Sequence, residues 1–273
     1  MNKVINYIVF FEIITCLSNS LYSVNPEKEY KYCPEDFNIC LSDSMYLSTS
    51  DEYKIYTCLI EPKSNNNNTT IIIAYGDAGN LSYSYYYASR LQDLGYTIVL
   101  FDYRGFGKSS DWVTDKKMLF YKEYVTDLLT VTEYSKKRFP VNKIGIMAIS
   151  MGSIMTTLIL PQIKIDFIIA ENYVVTLSGT IERINFEKGE QYYYPAEISE
   201  KAYREIINNI NIPVLLFTSL EDNITTYEDS KIIAKNPKCE NIIYNGKHGH
   251  GLTALSSNYF NYIQGFINSN KLQ

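Results

Sequence analysis

Ser150 ends the run Lys143-Ile144-Gly145-Ile146-Met147-Ala148-Ile149 and is followed by Met151-Gly152 and a helical stretch. A serine hydroxyl is a poor nucleophile unless a sharp turn holds it beside a base and beside backbone N–H groups that can receive an oxyanion. Small residues at Ala148 and Gly152 permit such a turn, so the segment reads as a strand, a nucleophile and a helix in immediate succession. The chain contains 2 histidines, and both lie in Asn245-Gly246-Lys247-His248-Gly249-His250-Gly251. Imidazole is the side chain whose ordinary pKa suits proton transfer near neutrality, which makes His248 and His250 the candidate bases.

Bringing such residues together requires strands that end on one edge. Tyr53 to Ile60, the strongly β-branched Thr69 to Ala74, Tyr96 to Phe101, the Ser150 strand, Asp166 to Ala170, Val214 to Thr218 and Ile242 to Tyr244 read as strands. Helical spacing occupies Ser84 to Gly95, Met118 to Phe139 ahead of Pro140, Ser153 to Leu160, and about Ser257 to Ile267. Apolar strands alternating with helices predict an α/β fold, a mostly parallel sheet covered by helices on both faces, with ligands at the carboxyl ends of the strands. Asn172 to Asn211 departs from the alternation, carrying Gln191-Tyr192-Tyr193-Tyr194-Pro195 and a helix around Glu200 to Asn209. This stretch, about 172–211, is read as a short cap over the site of a single domain spanning 24–273.

Four motifs, in order, resemble those of the α/β-hydrolase superfamily. Ala74-Tyr75-Gly76-Asp77-Ala78-Gly79-Asn80 is similar to its His-Gly-Asn-Ala-Gly-Asn loop, and Phe101-Asp102-Tyr103-Arg104-Gly105-Phe106-Gly107-Lys108-Ser109 to its Asp-Tyr-Arg-Gly-Phe-Gly-x-Ser turn. The Ser150 elbow departs from Gly-x-Ser-x-Gly only at Ala148, and Ala170-Glu171-Asn172 followed by Leu177-Ser178 resembles the Glu-Asn segment of the serine-aminopeptidase-like and palmitoyl-thioesterase-like branch. The similarity runs from about Tyr53 to the C-terminus. It implies the α/β-hydrolase fold, Ser150 as nucleophile, His248 as base with His250 the secondary candidate, and Asp222 as the acid with Glu221 its neighbour. By motif position it also implies an oxyanion hole made by the amides of Asp77 and Met151. Tyr75 stands where the superfamily has His, and Asp77 where it has Asn. Backbone donors survive both changes, although a carboxylate at 77 must point away from an oxyanion or be neutralised. The Asp102 to Arg104 turn is expected to be scaffold, a buried network between those two residues beneath the site.

The resemblance implies a serine hydrolase that cleaves an ester or thioester through an acyl-enzyme, with no cofactor. An acyl lipid, a lysophospholipid or an acylated protein would be the substrate. A peptidase of the serine-aminopeptidase kind would want a larger cap with acidic residues for a substrate amine. A binding protein without catalysis is suggested by Tyr75, Asp77 and Ala148, and opposed by the intact Ser, Asp and His set.

A net charge of −5 leaves no basic footprint for nucleic acid. Hydrophobic residues at 46% and charged residues at 20% exclude both a disordered chain and a polytopic membrane protein. No Cys-x-x-Cys pair or His-rich spacing suggests a metal. Met1-Asn2-Lys3, the apolar run Val4 to Cys16 and the small residues Ser18, Ser20 and Ser23 read as a signal peptide or N-terminal anchor over 1–23. Glu12 would cost about 3 kcal/mol at the centre of a spanning helix, which favours cleavage over membrane association through the N-terminus. Either form places the protein in the secretory pathway or cell envelope, where Cys33, Cys40, Cys58 and Cys239 would be free to pair. The sequons Asn80-Leu81-Ser82 and Asn223-Ile224-Thr225 both lie beside the expected site, where a glycan would block substrate.

Overall fold

The computed structural model describes residues 23–63 and 65–272, so the expected signal or anchor lies, apart from Ser23, outside the described residues. Among the described residues, no helix is long and apolar enough to cross a membrane. In chain order the elements are β1 (Asn25–Pro26), β2 (Asp43–Ser48), β3 (Lys54–Ile60), β4 (Thr69–Ala74), β5 (Ala78–Gly79), α1 (Tyr85–Asp93), β6 (Thr97–Phe101), α2 (Glu123–Arg138), β7 (Lys143–Ile149) and α3 (Met151–Ile159). They continue with β8 (Phe167–Glu171), α4 (Leu177–Lys188), α5 (Glu200–Asn208), β9 (Val214–Ser219), α6 (Tyr227–Ile233), β10 (Cys239–Tyr244), α7 (Gly251–Leu255) and α8 (Asn258–Ser269).

Eight strands form one sheet in the order β10-β9-β8-β7-β4-β6-β3-β2. From β10 to β6 all pairings are parallel, whereas β3 runs antiparallel to β6 and β2 antiparallel to β3. The central strands β4, β6, β8 and β9 are buried along their whole length, as expected of a sheet with both faces covered. α8 closes one face, its Tyr259 ring stacking on Phe217 of β9 with centroids 4.3 Å apart. The edge strand β2, Asp43-Ser44-Met45-Tyr46-Leu47-Ser48, is largely exposed and polar, so its sequence carries no buried-strand signature.

Three expectations change. The helix read from Met118 begins at Glu123, because the backbone before it is committed elsewhere: Leu119 N–H donates to the Tyr193 carbonyl, and the Lys117 carbonyl accepts from Tyr193 N–H. The stretch read as a cap divides. α5 buries Tyr203 and Ile207 and packs on α3, and the Tyr203 hydroxyl donates to the Val174 carbonyl at 2.5 Å, so α5 belongs to the helical layer and α4 is the helix that departs from the alternation. Asp102 and Arg104 are not partners. The turn sends them to different elements: Arg104 reaches Asp127 on α2 and Asp51, while Asp102 accepts from the amides of Leu81 and Lys108 and from the Tyr30 hydroxyl.

Cys33, Cys40, Cys58 and Cys239 are free thiols. Asn80 is fully buried and donates from Nδ2 to the carbonyls of Glu27 and Glu29, so a glycan there is incompatible with this fold.

Candidate active site

β7 delivers Ser150 to the carboxyl edge of the sheet, where the chain turns into α3 without a connecting loop. Ser150 adopts φ 50° and ψ −117°, a conformation that costs an L-residue about 1–3 kcal/mol and recurs where function requires it. Gly152 makes the turn possible, since a Cβ there would overlap the Ala74 carbonyl oxygen. Beyond β10, His248 places Nε2 3.1 Å from Ser150 Oγ and Nδ1 2.8 Å from Asp222 Oδ2. With Nδ1 donating to the carboxylate, Nε2 is left to accept the serine proton.

Asp222, in the loop after β9, is buried. Its Oδ1 accepts from the amides of Ile224 and Thr225, and its Oδ2 from the Thr225 hydroxyl and Asn172 Nδ2 as well as from His248. Burial opposes its charge, but His248 and these donors outweigh it and hold the carboxyl well below the ordinary carboxylate range. His248 is the mirror case. Burial pushes it toward the neutral form, while Asp222, and then Asp77 and Glu171, pull it back until its pKa stands above 6.5.

The loop Tyr75 to Asn80 runs beside the elbow, close enough that a Cβ on Gly76 would sit 3.7 Å from Ser150 Cβ. Asp77 is the next residue of this loop, and Met151, directly after the serine, is the first residue of α3. Amides in the first turn of a helix have no intrahelical partner and carry the positive end of the helix dipole, which suits Met151 to an anion. The Asp77 carboxyl is pushed up to about 6 by burial, against the support of its own amide, His248 and the Ser23 amide. An N-terminal strap fixes the loop from outside. Asn25 N–H donates to the Asp77 carbonyl at 2.7 Å and Glu27 N–H to the Gly79 carbonyl at 2.9 Å, forming the small parallel pair β1 and β5.

The remaining candidates are His250 and Glu221. His250 is the N-cap residue directly before α7, and its Nε2 is buried with no hydrogen-bond partner; burial and then Lys247 and His248 lower its pKa. Glu221 is exposed, with its amide on Ser219 Oγ. Among the described residues, no group of three or more His, Cys, Asp and Glu side chains is arranged to hold a metal. Sequence reasoning missed the strap, whose short strand has no periodicity to detect. It noticed Glu171 and Asn172 as a motif without giving them a task.

The topology and the site can be set beside known proteins. An esterase of Pyrococcus furiosus superposes with a TM-score of 0.73 over 91% of this chain and 98% of its own, at 19% identity. The chain has the α/β-hydrolase fold. The family model described as serine aminopeptidase, S33, matches residues 66–170 of this chain, from just before β4 to β8. Over 209 residues it is 25% identical to the Salmonella typhimurium protein YfhR, covering 70% of this chain and 67% of that one. It is 27% identical over 150 residues to an acyl transferase of Shewanella woodyi, 55% of this chain and 48% of that enzyme, so it spans about half the length of this relative.

Proposed function

We propose that the protein is a serine hydrolase that cleaves a carboxylic ester or thioester through an acyl-enzyme intermediate. The observation that carries this reading is the alignment of Ser150 Oγ, His248 Nε2 at 3.1 Å, and Asp222 Oδ2 at 2.8 Å from His248 Nδ1, on an elbow that leaves the serine half-buried at the tip of a strained turn. In this mechanism His248 removes the Ser150 proton as Oγ attacks the acyl carbonyl. The amides of Asp77 and Met151 receive the oxyanion, and His248 returns the proton to the leaving alcohol or thiol. Water repeats the sequence to release the acid. Asp222 keeps Nδ1 protonated and stabilises the imidazolium.

An acyl lipid, lysophospholipid or acylated protein is the substrate class proposed. An acyl transferase and an esterase among the relatives support acyl chemistry in general. Export by a cleaved or retained N-terminal segment belongs to the same proposal and is tested by fractionating the producing cell. The test of function is turnover of p-nitrophenyl esters and acyl thioesters of graded chain length by wild type and Ser150→Ala. Turnover confined to wild type is expected, and equal turnover by Ser150→Ala would sink the mechanism. The match to a serine aminopeptidase model keeps one second reading in view, a peptidase, for which cleavage of aminoacyl anilides in preference to acyl esters is the decisive sign.

A further inference from the structure

We infer that Asn172 is a positioning residue that locks the acid and the base of the site to one another, and that the end of β8 is the hub to which the whole triad is registered. The inference rests on the serine-hydrolase reading above. Ser150 is held by backbone, its N–H donating to the Glu171 carbonyl at 3.0 Å. The next residue holds the other two members. Asn172 Nδ2 donates to Asp222 Oδ2 at 2.7 Å, and Asn172 Oδ1 accepts from the Gly249 amide at 2.8 Å. Gly249 adjoins His248, so a single side-chain amide sets the separation between the acid's carboxylate and the base's backbone.

Glu171 grips the same loop two residues further on. Its Oε1 accepts from the Gly251 amide at 2.8 Å and its Oε2 from the Tyr259 hydroxyl at 2.8 Å. Gly251 permits that approach, since a Cβ on residue 251 would stand 2.7 Å from Oε1 and displace the carboxylate. Asn172 itself has φ 54°, a left-handed backbone that asparagine adopts more readily than most residues. Its side chain is buried with both ends satisfied, which leaves it no freedom to drift.

The Asn172 donor lands on the same carboxylate oxygen that faces His248 Nδ1. A donor there withdraws charge that would otherwise stabilise the imidazolium, so Asn172 tempers the basicity of His248 as well as fixing its place. The charged groups facing His248 are Asp222 after β9, Asp77 in the oxyanion loop and Glu171 at the end of β8. Losing the Asn172 donor therefore strengthens an already acidic surround.

The experiment compares the full chain with Asn172→Gly, which tolerates the left-handed backbone but lacks both bonds, and Asn172→Ala, which keeps a Cβ and likewise lacks both bonds. Ester turnover and fluorophosphonate labelling are followed from about pH 5 to about pH 9, alongside thermal unfolding. In Asn172→Gly, kcat is expected to fall by about 10- to 100-fold with KM kept, as for a misplaced reacting group. The acid limb of the profile should move to higher pH in both variants, because each removes the donor to Asp222. A folded variant with unchanged kcat and unchanged limb overturns the inference. So does a lower kcat with an unmoved limb, which is what a merely structural residue would give. If Asn172→Gly does not fold, Asn172→Ala decides by the same criteria. Wild type that neither turns over nor labels would instead refute the serine-hydrolase reading, and the assignment of Asn172 with it.

Discussion

Two buried aspartates in this molecule each hold a nitrogen base, and only one of the pairs turns a titratable nitrogen toward a serine hydroxyl. Arg104 is fully buried; Nε and Nη2 donate to Asp127 Oδ1 at 2.9 and 2.7 Å, and Nη1 and Nη2 to Asp51 at 2.6 and 2.9 Å. The guanidinium also lies 4.2 Å from the Tyr53 ring centroid. Its charge is permanent and four of its five N–H groups are committed to the two aspartates, so the pair can brace the turn after β6 but has no proton to exchange. His248 commits one nitrogen to Asp222 and turns the other to Ser150. A buried ion pair does not by itself mark a reactive site. A titratable partner with one nitrogen directed at a nucleophile does.

The largest separation between the two pairs should appear on neutralising each aspartate. Asp222→Asn is expected to lower kcat about 10⁴-fold by destroying the tautomer, with cooperative unfolding retained. Asp127→Ala should instead cost about 3–5 kcal/mol of stability by leaving Arg104 short of a buried partner, with the folded fraction still labelled by a fluorophosphonate. Denaturant curves and active-site titration of both variants check this. A folded Asp127→Ala protein that cannot be labelled would erase the contrast.

A smaller effect is the opposed pH dependence of stability and activity. The folded pKa of His248 is raised above 6.5, so its contribution to stability is full below that value and is lost as pH rises through the folded pKa. The folded pKa of Asp222 is lowered below 3.8, so its contribution is present above 3.8 and is lost as pH falls through the folded pKa. In the proposed mechanism activity needs neutral His248 and therefore rises as the histidine's stabilisation is lost. In wild type the acid limb of kcat/KM should have its midpoint above 6.5, and in Asp222→Asn it should move to lower pH. The least effect is expected for His250→Ala, which should leave the labelling rate unchanged. A large loss there would mean that the base has been assigned to the wrong histidine.

The parts of the molecule that could be read in advance are those with a local signal. The apolar strands β4, β6, β7, β8 and β9, the elbow at Ser150 and the isolation of both histidines in one loop are visible in residue type and spacing. Asp222 needed the family pattern, since an acidic residue after a strand is otherwise an ordinary loop charge. What escaped depends on partners far along the chain. Arg104 meets Asp127 and Asp51 rather than Asp102 because the turn's direction is set by packing on α2. The start of α2 is cut back by a backbone exchange with Tyr193, and the strap around Asn25 exists only because β5 offers it an edge.

The most direct test of the central claim is to treat the protein with a fluorophosphonate and map the adduct by peptide mass, with Ser150→Ala and His248→Ala in parallel. A single phosphonylated residue at Ser150, absent from Ser150→Ala and strongly slowed in His248→Ala, is the predicted result. Folded wild type that stays unmodified, or that is modified at another serine, would contradict the assignment of Ser150 as a histidine-activated nucleophile.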